Sequence, residues 1–293
     1  MSENDNDKLK PAEENPWYVL ATICDKWDED DEGLTFMQRK LYNHFVWNSW
    51  VTSVLDDKEK ATISFERKDF FYGLPEWDHI KDLVTELFKK RLPHQELPNP
   101  NVTIDFSWIK FTKKVSFEYF LFAEYINFSN SIWLSDALFR ESIFLTFVAF
   151  ENVYFKRGVD FNSAIFLSNH TYFSKTTFYG MADFTNSAFE GKTVIYGIFE
   201  DESSFYQCDF NKRINFIGSK FKKYYPMLVG SNLDEKTTLS VSPEDWPEYN
   251  NCEQNSQEAK DSCSVLRQAM VLKGLPEQAH FFFRREMQFA SKI

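Results

Sequence analysis

The side chains of this chain that could ligate a metal, attack a substrate or cradle a phosphate are few and scattered. Histidine occurs as His44, His79, His94, His170 and His280. Zinc ligation and nucleophilic catalysis both need His, Cys or carboxylate partners at close, fixed spacing. No HExxH is present, and His79 and His94 have no Cys or carboxylate partner at ligand spacing. Cys24, Cys208, Cys252 and Cys263 form no CxxC pair. They read as free thiols in a reducing compartment, with a Cys252–Cys263 bridge the one alternative. Gly191-Lys192-Thr193 ends like a phosphate-binding loop, but Asn186 stands where that motif requires its first glycine. Asp25 to Glu32 is acidic but lacks the ligand order of a calcium loop around a central glycine. There is no GxSxG elbow and no Cys-His pair placed as nucleophile and base. The expectation is therefore a protein with no catalytic, cofactor or metal site, and not an enzyme.

The totals narrow the class further. Hydrophobic residues make up 43% and charged residues 26% of 293 positions, a foldable composition. Only 9 residues are Gly, against 32 Phe, which disfavours glycine-rich nucleotide folds. The net charge is −11, but it is local: residues 1–32 hold 11 acids and 3 bases, while residues 101–225 hold 13 of each. No stretch approaches the roughly 18 apolar residues of a membrane span. The acidic, polar start is unlike a secretory signal. A cytoplasmic, bacterial-type protein is the expectation, membrane-associated only if the native chain continues past Ile293.

Stepping along the chain, the character changes four times. Residues 1–14 read as a disordered acidic tail. Residues 15–100 read as a helical domain. Its first helix is expected from Leu34 to Leu55, with Phe36, Met37, Leu41, Phe45, Val46, Trp50, Val51 and Val54 on one stripe and Trp47 beside it. Its second is expected from Pro75 to Leu92, with the stripe Trp77, Ile80, Val84, Leu87 and Phe88 and a basic last turn. Pro93, Pro98 and Pro100 end it. Residues 226–255 read as a connector and 256–293 as a helical hairpin turning at Gly274.

Between them, residues 101–225 carry an internal repeat. Large residues fall at alternating steps of five and six: Phe106, Phe111, Phe117, Phe122, Phe128, Trp133, Phe139, Phe144, Phe150, Phe155, Phe161, Phe166, Phe173, Phe178, Phe184, Phe189, Ile195, Phe199, Phe205, Phe210, Phe216 and Phe221. Twenty of these 22 slots are Phe; only Phe120 and Phe147 of the segment lie off them. The residue two places earlier is small or β-branched at most slots, as in Val159-Asp160-Phe161 and Ala182-Asp183-Phe184. The step from Phe166 to Phe173 is one too long, and that from Ile195 to Phe199 one too short. They predict a bulge near Asn169-His170 and a compensating shortening at Gly197.

A helix repeats every 3.6 residues and a flat strand every 2. A period of five to six instead fits a chain that turns a corner at each step, with one large side chain per side pointing inward. Stacked coils then place Phe over Phe and pair their sides as parallel strands. The motif resembles that of the pentapeptide-repeat family. The resemblance implies a mainly β fold, a right-handed quadrilateral β-helix, with the N-terminal helical domain and the C-terminal hairpin as caps. The departure is an extra residue in every second pentad, giving 22 residues per coil. The function this implies is a non-catalytic scaffold for protein–protein interaction, its partner another protein of unknown identity, with homodimerisation through the C-terminal helices a further expectation. Two alternatives stand beside it. One is a DNA-mimic modulator of a type II topoisomerase, disfavoured because the repeat is neutral overall, so that nucleic-acid-like character is not expected. The other is the soluble part of a membrane-associated regulatory or effector protein.

Overall fold

The computed structural model describes residues 8–24, 42–233, 237–240 and 242–293. Its centre is a parallel β-solenoid of about five coils. Short strands, mostly of two residues, stack into four ladders, one per side. Two sides, those of Phe122 and Phe117, form separate five-stranded sheets. The other two join into one eleven-stranded sheet, because His170–Phe178 and Lys192–Phe199 run round the corner between them.

Both register slips are visible there. Val148 pairs with Thr171, a separation one residue longer than that of Ile126 and Val148, so the extra residue falls between Phe166 and Thr171. The ladder then shifts between Ser174 and Thr176, opposite Gly197. A Cβ on Gly197 would lie 2.4 Å from the Thr176 carbonyl oxygen, so this tightened corner requires glycine.

All 22 slot residues are buried, none above 5% exposed. They form four vertical stacks. Along one, Phe128–Phe150 and Phe150–Phe173 have ring centroids 4.8 and 4.7 Å apart and planes within 8° and 2°. Along the opposite one, Phe139–Phe161, Phe161–Phe184 and Phe184–Phe205 lie at 4.8 to 5.0 Å. Across a coil the contacts are edge-on, as for Phe150–Phe161 at 5.4 Å and 83°. The coil spacing of about 4.8 Å and the stacking distance of aromatic rings coincide, so one geometry satisfies both the ladder and the rings.

The alternation of five and six has a backbone cause. Among the described residues, nine non-glycine residues have positive φ, all between 52° and 64°: Trp108, Tyr119, Asn130, Glu141, Asn152, Ser163, Lys175, Asn186 and Gln207. Each stands two residues after a slot, inside a five-residue step; Gly218 (φ 81°) and Gly230 (φ 80°) continue the series. The next amide bonds back to the slot carbonyl, as Ala164 N does to Phe161 O at 2.9 Å, making a β-turn of type II character. Six-residue steps turn without a positive φ. In the later coils a hydroxyl or thiol on the residue after the tight turn also links the coils. Thr176 Oγ1 donates to Phe150 O at 2.5 Å, Ser187 Oγ to Phe161 O at 2.7 Å, and Cys208 Sγ to Phe184 O at 2.8 Å.

Helices α1 (Pro16–Ala21), α2 (Asn43–Thr52), α3 (Asp57–Glu66) and α4 (Trp77–Arg91) form the N-terminal cap. Asn15 caps α1, accepting from Tyr18 N at 3.0 Å, and Asp56 with Glu59 makes a capping box for α3. The first expected helix is corrected: its described part starts at Asn43, and the stretch 34–41 lies outside the described residues, as does the acidic loop 25–33. Trp47 is not beside the stripe but at its centre, fully buried, and Val54 is exposed. The expected disordered tail is corrected over its described part. Lys10–Pro11 is a strand paired in parallel with Ile109–Lys110, and Ala12 is buried.

The connector is also corrected, because the solenoid outruns the Phe series. Leu228 and Leu239 are buried one coil beyond Phe205 and Phe216, and bridges join Ser204 to Met227 and Asn215 to Thr238. Trp246 then stacks on Phe221 at 5.3 Å and 13°. Helices α5 (Ser256–Leu272) and α6 (Pro276–Ala290) close this end, tied by Arg267 Nε to Glu286 Oε2 at 2.7 Å. Among the described residues, no helix is long and apolar enough to cross a membrane.

A parallel stack leaves unpaired backbone groups at both ends, and polar side chains meet them. Asn48 Oδ1 accepts from Leu121 N at 2.8 Å while its Nδ2 donates to Tyr119 O at 2.9 Å. Trp47 Nε1 donates to Leu121 O at 2.8 Å, and Asn15 Nδ2 to Asp105 O at 2.8 Å. At the far end Asn232 Oδ1 accepts from Phe210 N at 2.5 Å and Gln254 Oε1 from Tyr225 N at 3.1 Å. These amides stand in for the peptide groups of a missing coil. Replacing Asn48 by Leu strands one buried donor and one acceptor and is expected to cost about 2–4 kcal/mol in urea unfolding. Phe161→Ala, which empties the middle of a stack, is expected to cost about 3–5 kcal/mol by the same measurement.

Candidate interaction site at the N-terminal cap

The cap is joined to the solenoid along one corner. The carbonyls of successive positive-φ residues there point away from the coil ladder and are taken by cap side chains. Tyr119 O is held by Asn48, and Arg67 Nη1 donates to Glu141 O at 2.8 Å. Arg67 also lies 3.1 Å from Glu141 Oε2 and reaches Ser163 O at 3.4 Å. Burial pulls the Arg67 guanidinium below its ordinary value, and the Glu141 charge opposes this. The same carboxylate raises the Tyr119 hydroxyl. A cleft of about 350 Å³ lies here, between His44, Arg67, Phe70, Tyr119 and Glu141. His44 packs 4.4 Å from Phe45 and 5.7 Å from Tyr119, and burial holds its imidazole below the usual value. Asn48 and Arg67 spend their polar atoms on solenoid backbone and on Glu141, so they lock the cap to the solenoid.

The larger concavity, of about 860 Å³, lies on the outer side of the cap. Its wall is Trp50, Val54, Phe71, Leu74, Trp77, Leu97 and Pro98, with Lys60, Lys81, Glu76, Asp78 and Glu96 around it. Helix α2 supplies Trp50 and α4 supplies Trp77. The proline-rich segment closes one edge, where Trp50 Nε1 donates to Pro98 O at 3.2 Å. Ser49, also in the wall, has a buried hydroxyl with no hydrogen-bond partner. With Thr52, Ser53 and Thr85 also lining it, the groove is mixed, its aromatic and proline wall interleaved with polar and charged groups.

The residues singled out for chemistry are not brought together. His79 sits 3.6 Å from Glu76, and His94, His170 and His280 are exposed at separate places. Among the described residues, no group of three His, Cys, Asp or Glu could hold a metal. All four cysteines are unbridged. Cys208 is buried and its thiol is pushed up to about 12. Gly191 of the Gly-Lys-Thr triplet is required by packing: a Cβ there would lie 2.0 Å from Ser168 O. The two off-slot Phe have different roles: Phe120 is buried at the end of the column beside Phe117 and Phe122, and Phe147 faces outward. Phe120 lies 5.4 Å from Trp47 beneath the cap, and Phe147 bridges Tyr125 and Tyr172 at 5.0 and 5.4 Å. The sequence contained a signal for where the cap docks. Outward positions flanking the Phe122 column are apolar for three coils, as Leu121, Ile143 and Ile165, and then become Ala188 and Asp209. No protein-family model, curated protein or solved structure matches this chain.

Two outcomes test this description. A His with a lowered folded value favours the folded state only while neutral. Stability is therefore full above the unfolded value near 6.5 and falls as pH drops toward the lowered folded value. Thermal melts from pH 7.5 to 5.5 should show a smaller decline for His44→Gln than for the native chain. Native thiol titration should leave Cys208 unmodified until the chain unfolds, since only the thiolate reacts.

Proposed function

We propose that this chain is a non-catalytic interaction scaffold of the pentapeptide-repeat type, with the groove of its N-terminal cap as the protein-binding site. The groove carries the reading. It is concave and lined by tryptophan, phenylalanine and proline, and it is fixed to a rigid solenoid by the Asn48 and Arg67 contacts. Aromatic side chains in a preformed pocket are the residues that dominate protein–protein binding energy. The 22-residue coil with its Phe columns supports the family assignment, as does the small residue before most slots.

Self-association through the C-terminal hairpin is supported by Phe283 and Met287, four residues apart on α6 and each 44% exposed. The DNA-mimic alternative gains nothing from the acidic side chains. A phosphate-like row must be unbroken, whereas Arg140 bonds Asp160 at 3.0 Å and Arg67 pairs with Glu141.

Affinity capture from the native host with the full chain tests the reading. A Val54→Arg variant, which fills the groove without touching the solenoid, should lose the captured protein while keeping its circular dichroism and melting temperature. Retention of every captured protein by that variant would remove the groove from the account.

A further inference from the structure

The side built on the Phe111, Trp133, Phe155, Phe178, Phe199 and Phe221 column lies opposite the side covered by the cap. Strand alternation makes its outward residues readable. In the middle coils they are Ile132 and Leu134, Tyr154 and Lys156, Thr177 and Tyr179, and Ile198 and Glu200. Leu134 and Tyr179 are exposed, and Lys156 Nζ sits 3.6 Å from the Tyr179 ring centroid. This side has an apolar row like that of the capped side, but no element of the described chain covers it.

Its charge is also set apart. With its flanking corners, this side spans residues 108–114, 130–136, 152–158, 175–181, 197–202 and 218–224. It holds nine of the 13 basic side chains of the neutral repeat and four of its 13 acids. Four of those bases, Lys110, Lys114, Arg157 and Lys222, are exposed and have no ion pair among the described residues. The result is a flat apolar centre inside a basic rim, on a protein whose net charge is −11.

We propose that this side docks an acidic amphipathic helix of another protein, laid along the solenoid axis. Two features of the molecule select that occupant. The equivalent apolar row on the opposite side begins beneath a helix of the cap, α2 lying on Leu121. The unpaired bases fit carboxylates on a helix's flanks, as charge complementarity requires. Five coil spacings of about 4.8 Å match a helix of roughly 16 residues. A nucleic acid fits less well. Its backbone needs cations along its whole length, but the bases of this side are concentrated at the two end coils and the centre is largely apolar.

This proposal rests on the scaffold reading but uses a different surface from the groove. The test is photo-crosslinking of the full chain in its native host, with p-benzoylphenylalanine replacing Tyr179, and replacing Tyr206 on a neighbouring side as control. The expected adduct forms at position 179 and not at 206. Its crosslinked segment, read by mass spectrometry, is net acidic with apolar residues three and four apart. Adding Lys110→Glu and Lys222→Glu should lower the yield at least about fivefold, since both attraction and association rate fall. A nucleotide adduct, a basic segment, equal labelling at 206, or no adduct overturns the proposal. If the groove capture succeeds while position 179 yields nothing, this side alone fails; if both fail, the scaffold reading falls with it.

Discussion

A stacked coil can bury its aromatic interior only against another coil, so a solenoid always ends with an exposed ring layer and unpaired peptide groups. Most of this protein outside the repeat answers that constraint. At the N-terminal end the Asn48 amide takes both a donor and an acceptor of the first coil, and the Lys10–Pro11 strand covers a second edge. At the other end Asn232 and Gln254 meet the last amides, and Trp246 lies on the last ring of the Phe221 stack. The caps are therefore part of the fold's stability, and only what they leave uncovered is free for partners.

The same constraint connects stability to function. Because both ends are closed, the surfaces open to the proposed partners are a groove in the cap and the lateral sides. The cap is anchored along a corner whose carbonyls already point outward, since each positive-φ turn removes one carbonyl from the ladder. Arg67 spans two such corners, at Glu141 and Ser163. That fixes the groove relative to the solenoid, and for the proposed scaffold role a preformed groove would lower the ordering cost of binding.

Much of this was legible in the residues. The Phe steps of five and six state the turning chain and its two irregularities, because nearly every inward position of the repeat holds a ring, while the four-sided coil came with the family resemblance. The Asn169-His170 bulge and the Gly197 shortening follow from counting. The end of the solenoid did not follow, because Leu228 and Leu239 fill the column without being Phe. The strand at Lys10 was hidden because an edge strand of two residues gains its stability from pairing and leaves no periodic trace. The capping amides were hidden for a similar reason. A single Asn on a helix carries no pattern, and only the fold brings Asn48 to Leu121 across 73 positions.

The central claim is that side-chain amides close the ends as effectively as a further coil would. Native-state hydrogen exchange of the full chain tests it at two amides, Leu121 and Phe210, whose acceptors are the side chains of Asn48 and Asn232. Both should exchange only with global unfolding, with the same free energy as interior amides such as Phe161. Exchange of Leu121 and Phe210 at loop rates, while Phe161 stays protected, would contradict it.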